Sequence, residues 1–244
     1  MNLRVLGSSS KGNGYILSNG EESLIIECGV PFSDVYFYER VSSVVGCLVS
    51  HEHKDHCKYY EDYLSSCINV YSSKGTNDVL RDRLRQKNLD RFIYDLKADS
   101  VYLIGGFKVL PFEVVHDVRE PFAYLIYHKD MGTLLFVTDT RLIPRFYEGV
   151  NHLLIECNYD YMTLNSNVGS NRTPQSLAKR VMLSHLGLDN CITYLEQIDR
   201  SDLENIVLLH LSDGHSNSGY MKKTISDKFG LNCVVADKGV FLEL

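Results

Sequence analysis

The succession of predicted strands and helices in this chain predicts a layered αββα sandwich of the α/β (α+β) class. Strands come in runs near the start of the sequence and again over residues 101–137, while helices are interspersed in both halves. A doubly wound sheet would instead alternate strand and helix. The 244 residues contain no low-complexity linker and no internal repeat, so we expect one domain over residues 1–244.

Short apolar runs separated by turn signals mark the strands of the first half. Asn19-Gly20 lies between two such runs, which is a strong hairpin signal. Farther along, Val79, Leu80 and Leu84 have helical spacing and the intervening residues are charged. We therefore predict strands at 3–6, 15–17, 24–26 and 46–49 and a helix at 74–87.

The second half is strand-rich at first and then mixes strands with helices. Pro174 stands where a helix is expected to begin, a position that suits proline because its missing N–H would have no helical partner. The predicted strands are 101–104, 107–115, 122–127, 133–137, 153–155, 206–209, 233–236 and 240–242. The predicted helices are 176–183, 190–197 and 219–229.

Composition bounds the function classes. Hydrophobic residues make up 44% and charged residues 23% of the chain, as in ordinary globular proteins. The net charge of −6 argues against coating nucleic acid by bulk charge, although it leaves room for a local basic groove. No apolar run approaches the length of a membrane span, and the seven cysteines include no C-x-x-C pair. We therefore expect a cytoplasmic protein with reduced thiols and no membrane partner.

The most informative motif is the H-x-H-x-D-H sequence formed by His51, His53, Asp55 and His56. It follows the apolar run 47–49, so a short buried strand delivers it. Imidazole is the commonest metal ligand in proteins, and carboxylates complete such sites. Since the chain has only nine histidines, three within six positions predict metal binding. Alternation lets His51 and His53 bind one ion, while Asp55 and His56 face a second.

Three later residues repeat the arrangement of a ligand-type side chain directly after an apolar strand. They are His116, Asp139 and His210. Each of them alone would be an ordinary residue at the end of a strand or in a turn. A two-metal site needs ligands held by a rigid scaffold, and strand ends provide one. Together with the first motif they predict a dinuclear centre.

These residues, in this order, make the chain resemble the metallo-β-lactamase-fold hydrolases nearly from end to end. The resemblance implies the αββα sandwich and two divalent metal ions. It assigns His51, His53 and His116 to one ion and Asp55, His56 and His210 to the other, with Asp139 bridging both.

The resemblance extends to one branch of those hydrolases. The segments 7–13, 49–53, 138–140 and 209–212 resemble YycJ-like nucleases, and the stretch from Glu156 to His185 is similar to ribonuclease Z. In ribonuclease Z a Glu and a His pair to protonate the leaving group, and Glu156 and His185 are the matching positions. Asp139 is similar to the phosphodiesterase and thiolesterase branches and differs from the Cys of several β-lactamase classes.

The mechanism implied by this resemblance is metal-dependent phosphodiester hydrolysis. A hydroxide shared by two ions attacks phosphorus while the ions stabilise the phosphoryl oxygens. Asp55 orients that hydroxide, and His185, polarised by Glu156, passes a proton to the departing oxygen. Mixed nitrogen and oxygen ligands suit Zn²⁺ and Mn²⁺ alike.

One position departs from the pattern and a few residues bear on substrate. Glu27 stands where such hydrolases usually carry Asp, in a position that orients the histidine loop. Basic residues at 81–87 are interleaved with acids and indicate a solvated helix face. Arg172, Lys179 and Arg180 could hold a phosphate. Tyr159 and Tyr161 are equally suited to stacking on a base or to packing. His215 is expected to be a solvated loop residue.

The sequence leaves four hypotheses for the function. The first hypothesis is a nuclease acting on DNA or RNA, and the second is a cyclic-nucleotide phosphodiesterase with a closed pocket completed by a second subunit in a homodimer. A thioester, lactone or β-lactam hydrolase is a third possibility, disfavoured by Asp139 and by the Glu156–His185 pair. A metal-binding sensor without hydrolysis is the fourth, disfavoured by the complete ligand set.

Overall fold

The computed structural model describes all residues 1–244, and the chain separates into two compact units. The first unit contains residues Met1–Glu113, Val118–Gly132 and Asp237–Leu244, and the second contains Val114–Asp117 and Thr133–Ala236. The expectation of one domain over residues 1–244 stays a prediction. No helix combines the length and the apolar character needed to cross a bilayer.

The strands and helices are labelled in chain order. The strands are β1 Asn2–Ser9, β2 Gly12–Ser18, β3 Ser23–Ile26, β4 Val44–Leu48, β5 Val70–Ser73, β6 Ile93–Leu96, β7 Tyr102–Ile104, β8 Phe107–Glu113, β9 Phe122–His128, β10 Gly132–Val137, β11 His152–Glu156, β12 Asn205–Leu209, β13 Asn232–Val235 and β14 Phe241–Glu243. The α-helices are α1 Phe32–Tyr36, α2 Lys54–Cys57, α3 Tyr60–Ser65, α4 Lys74–Arg83, α5 Tyr161–Gly169, α6 Gln175–Ser184, α7 Leu188–Gln197 and α8 Ser218–Phe229. Single 3₁₀ turns cover Val41–Ser43 and Lys87–Phe92.

The strands form two mixed sheets of seven strands each. One sheet lies wholly in the first unit, in the order β14-β1-β2-β3-β4-β5-β6. Its pairs are antiparallel from β14 to β3 and parallel from β3 to β6. Because β3 and β4 are parallel neighbours, the residues that follow them, Glu27 and the His51 motif, emerge at one edge of this sheet.

The other sheet contains β7 to β13. In the first unit β7, β8 and β9 are antiparallel, and they pack on the first sheet, where the buried Tyr124 hydroxyl donates to the Val49 carbonyl at 2.6 Å. In the second unit β10, β11, β12 and β13 are all parallel. Asp139, Glu156 and His210 therefore stand at the carboxyl ends of three adjacent strands.

Burial explains the continuous apolar runs in the sequence. Every residue of β2, β3, β11 and β12 is buried, as expected for strands covered on both faces. In the first unit, Tyr63 and Leu64 of α3 and Leu80 of α4 join Ile16 and Ile25 in one apolar core. That core fixes the helices that flank the histidine motif.

The predicted elements differ from the observed ones mostly at their ends. The helix predicted over 74–87 ends at Arg83, because Leu84 leaves the helical conformation with ψ 122°. The strand predicted over 107–115 ends at Glu113, and the Val115 N–H donates to the Thr140 hydroxyl at 3.2 Å. Six elements were not predicted: α1, α2, α3, α5, β5 and β6. Five of them are only four to six residues long, and the longer α5 has little apolar spacing because it is rich in Asn, Ser and Thr.

Gly29, after β3, lies against the loop that carries the histidines. A Cβ added to it would lie 1.7 Å from the Asp55 carbonyl oxygen and 2.8 Å from the Asn13 nitrogen. We expect Gly29→Ala to cost about 3 kcal/mol or more, because backbone would have to move. The measurement is thermal unfolding, with an expected Tm decrease of roughly 6–12 °C. Gly214→Ala, where a Cβ meets nothing within 4 Å, is the matched control; equal losses would refute this packing argument.

Candidate functional site

The H-x-H-x-D-H motif folds into a compact cluster within the first unit. After β4 the chain continues to His53, which has an extended backbone, and helix α2 begins directly after it. The His53 carbonyl accepts a hydrogen bond from the His56 N–H in the first turn of that helix. The rings of His51 and His53 have centroids 4.7 Å apart, and those of His51 and His56 4.2 Å apart. Asp55 Oδ2 lies 3.3 Å from His56 Nε2. All four predicted ligands of this motif are therefore brought together.

Glu27 supports this cluster from behind. Its side chain is fully buried, and its carboxylate lies 3.3 Å from His56 Nδ1 and accepts from the Ser50 N–H at 3.3 Å. The Ser50 hydroxyl in turn contacts His51 Nδ1 at 2.9 Å. Contacts of this kind fix the tautomer and ring orientation of metal-binding histidines. The longer side chain of Glu27 is thus accommodated where Asp was expected.

Glu52 has a positioning role that the motif did not reveal. Its carboxylate is buried and accepts from the Arg119 N–H at 3.1 Å and from the Thr76 hydroxyl at 3.3 Å. Its carbonyl accepts from the Arg83 guanidinium at 2.9 Å. These bonds join the histidine loop to α4 and to the segment before β9. The spacing of the motif gives no signal for this residue, because its partners are distant in sequence.

In the second unit His116 and His210 flank Asp139. His116 Nε2 lies 3.7 Å from Asp139 Oδ2, and His210 Nδ1 lies 3.5 Å from Asp139 Oδ1. Both distances exceed those of a charge-assisted hydrogen bond. His116 Nδ1 is held by the Ser184 carbonyl at 3.3 Å, and Asn158 Nδ2 donates to the His210 carbonyl at 2.9 Å.

Glu156 and His185 form a close carboxylate–imidazole pair in this unit. Their Oε1 and Nδ1 atoms are 2.5 Å apart, and Glu156 is fully buried. Its second oxygen accepts from the N–H groups of Thr140 at 2.9 Å and Leu186 at 3.1 Å. The ligand-type atoms of this pair and of Asp139 and His210 all lie within 4.8 Å of one another. The unit thus holds a carboxylate–imidazole pair directly beside its cluster, with the carboxylate fully buried and the imidazole partly exposed.

The backbone is unusual at three residues of these clusters. Glu27, Asp139 and His210 have positive φ angles of 68°, 40° and 53°. Each follows the end of a strand, and such angles cost about 1–2 kcal/mol for an L-residue. Sequence reasoning had no signal for them, because the motif residues there are not glycines.

The donor set fits a divalent ion of borderline or hard character. It consists of imidazole nitrogens and carboxylate oxygens, as Zn²⁺ and Mn²⁺ accept. Cys28 and Cys57 are not among the converging ligand atoms, which belong to His, Asp and Glu side chains. Burial raises the pKa of both thiols above the ordinary value. The His and Asp side chains therefore support divalent metal binding.

The remaining histidines have other partners. His128 is buried and lies 3.2 Å from Glu22, and the buried His152 contacts Asn205 at 3.1 Å. His215 was expected to be solvated, but it is half-buried between the hydroxyls of Thr173 and Ser212, and burial lowers its pKa. None of the three joins the ligand clusters described above.

Comparison with known proteins identifies similar chains. The family model described as "Beta-lactamase superfamily domain" matches residues 34–211. The exodeoxyribonuclease YycJ of Bacillus anthracis is 26% identical over 225 residues, which are 87% of this chain and 83% of that protein. The exodeoxyribonuclease WalJ of Streptococcus pneumoniae is 22% identical over 228 residues, covering 85% of this chain and 80% of that one.

A solved structure with a similar fold is the metallo-β-lactamase fold protein YhfI from Bacillus subtilis. It matches with a TM-score of 0.77 at 16% identity, over 100% of this chain and 98% of that one. The predicted αββα fold class and the resemblance to YycJ-like metallo-β-lactamase-fold hydrolases are thereby confirmed.

Glu27→Ala tests the support of the histidine loop. Removing the carboxylate deprives His56 and the Ser50 N–H of their buried partner, so we expect metal affinity to fall about 10- to 100-fold. Competition with a chromophoric chelator for Zn²⁺ measures it. Glu22→Ala is the matched control, since Glu22 also pairs with a buried histidine of the first unit. Equal affinity in the wild type and Glu27→Ala would contradict the supporting role.

Proposed function

Because the chain belongs to the β-lactamase superfamily, we propose that it is a divalent-metal-dependent phosphodiesterase that acts as a nuclease on DNA ends. Two relatives, YycJ and WalJ, are exodeoxyribonucleases, and the chain matches at least four-fifths of the length of each. Their names support DNA as the substrate class. The observation that carries the proposal is the Glu156–His185 pair. The alkoxide displaced from a phosphodiester is a poor leaving group unless a proton reaches its oxygen, and this pair could supply that proton.

The proposed metal ligands are those assigned from the sequence. One divalent ion, Zn²⁺ or Mn²⁺, would be held by His51, His53 and His116, and a second by Asp55, His56 and His210, and Asp139 would be a ligand of both. When bound, such ions activate water and neutralise charge on the phosphoryl oxygens. The clusters within each unit support this assignment through their donor chemistry and burial.

His185 is the proposed general acid. Its Nδ1 faces the buried Glu156, so Glu156 fixes the ring and favours the protonated imidazole. The proton passed to the departing oxygen would be the one on Nε2. The side chain of His185 is 19% exposed while Glu156 is fully buried, so the histidine is the member of the pair that meets a substrate. Asp55, with a side chain 20% exposed, would orient the attacking water.

The setting of this activity is also proposed. We place the enzyme in the cytoplasm, acting as one catalytic domain over residues 1–244. All seven cysteines are free thiols, which agrees with a reducing compartment. A homodimer is required only by the cyclic-nucleotide alternative and is not part of this proposal.

The function is tested by incubating the purified protein, metal-free and then with Mn²⁺ or Zn²⁺, with end-labelled single- and double-stranded DNA and RNA. We expect metal-dependent degradation of DNA that is lost in Asp55→Ala and retained in Asp227→Ala, an exposed helix carboxylate. Cyclic mononucleotides and a thioester and lactone panel run alongside. Intact polymers with hydrolysis of any of these small substrates would overturn the nuclease proposal.

The general acid is tested by the dependence on leaving group. We expect His185→Ala to lower kcat on DNA by about 10²- to 10⁴-fold, because the leaving oxygen must be protonated. On bis(p-nitrophenyl) phosphate we expect a loss below about tenfold, because p-nitrophenolate departs without a proton. His215→Ala is the matched control in the same unit. An equal loss on both substrates would contradict the role of His185 as proton donor.

A further inference from the structure

A groove in the second unit begins beside His116 and is lined by cations. It is a cavity of about 470 Å³. Arg141, Lys179 and Arg180 line it, and Asp117 is the one carboxylate among the lining residues. His116, which lines the groove, is a proposed metal ligand. A ligand bound along these cations would therefore reach the proposed metal site.

The cations of this groove are not neutralised by ion pairs. No carboxylate lies within 4 Å of the side-chain nitrogens of Arg141, Lys179 or Arg180, and α6 contains no acidic residue. In α4, by contrast, Arg81 pairs with Asp90 at 2.8 Å and with Asp95 at 2.9 Å. In a chain of net charge −6, a cluster of unpaired cations indicates an anionic ligand.

The groove continues past Lys179 and acquires apolar surface. A second cavity of about 560 Å³, between α5 and α6, shares Ser176 and Lys179 with the first. Tyr161 lines it and is 58% exposed, whereas Tyr159 packs its ring on Gly187. An exposed aromatic ring beside a line of cations matches the surfaces that hold single strands, where bases stack and phosphates pair with charge.

We infer that these two cavities form the track of a single DNA strand, which runs from Tyr161 over Lys179, Arg180 and Arg141 to His116. This inference rests on the proposed function and narrows it to a polymeric substrate. A cyclic mononucleotide carries one phosphate and would leave most of these cations without a partner. A strand supplies one phosphate for each nucleotide along the groove.

The salt dependence of binding tests the cationic part of the track. The probe is a fluorescein-labelled single-stranded 20-mer of DNA, measured by anisotropy with the full chain in a chelator, so that no turnover occurs. The variant is Arg141→Gln with Lys179→Gln and Arg180→Gln. Each lost phosphate contact reduces the slope of log Kobs against log salt by about 0.7, so we expect the triple variant to reduce it by about 2.

The matched control removes the same charge from α8 through Lys222→Gln, Lys223→Gln and Lys228→Gln. It should leave the slope within 0.7 of the wild type, an order-of-magnitude margin set by one contact. An equal decrease of the slope in both triple variants would show that the strand is attracted by bulk charge, and it would overturn the inference. An unchanged slope in the groove variant would also overturn it, and so would the absence of strand binding by the wild type. Single variants Arg141→Gln and Lys179→Gln, each expected to lose about 0.7, guard against misfolding of the triple variant.

Tyr161→Ala tests the aromatic part. We expect it to weaken binding about fivefold or more with an unchanged salt slope, because stacking involves no counterion release. Tyr220→Ala, at a similarly exposed helix tyrosine, should leave affinity unchanged, and equal losses would overturn the aromatic assignment. Because both binding tests are made without metal, a groove that binds while DNA is never degraded would refute the proposed function and leave the track standing.

Discussion

The burial of ionisable side chains at strand ends is the constraint on which this structure depends. A carboxylate taken out of water is strongly destabilising unless hydrogen bonds replace its hydration. Glu27 accepts from the Ser50 N–H, and Glu156 from the N–H groups of Thr140 and Leu186. The turns after β3, β10 and β11 are therefore shaped as much by these carboxylates as by the strands that precede them.

Parallel strands bring these buried side chains together with few intervening loop residues. Adjacent parallel strands end at one edge, so β10, β11 and β12 bring Asp139, Glu156 and His210 together. Glu156 is the last residue of β11, while Asp139 and His210 follow their strands by two residues and one residue. In the first unit β3 and β4 do the same for Glu27 and the histidine motif. The strands are buried on both faces, so the side chains at their ends stand on backbone that has little freedom to move.

The parts of the site that the sequence predicted are those carried by local patterns. His51, His53, Asp55 and His56 lie within six consecutive residues at the start of α2, and their convergence within the first unit follows from the motif itself. Glu156 also follows an apolar run, but its pairing with His185 was predicted only through a family resemblance, because the two residues are distant in sequence.

Residues that act through distant partners escaped prediction altogether. Glu52 bonds to Thr76 and Arg119, and Asn158 bonds to His210, each across more than twenty residues of sequence. Such contacts exist only once the core has packed. The α6 cations were visible in the sequence, but their lack of ion pairs, in contrast to Arg81 of α4, is a property of the folded chain.

The left-handed backbone at His210 has an evolutionary consequence. Gly and Asn adopt positive φ with less strain than His, so the imidazole is held there at a conformational cost. A descendant released from selection for hydrolysis would gain stability by drifting to Asn or Gly at His210. Among related sequences of this fold, we therefore expect proteins without a histidine at that position to have kept the fold and lost hydrolytic activity.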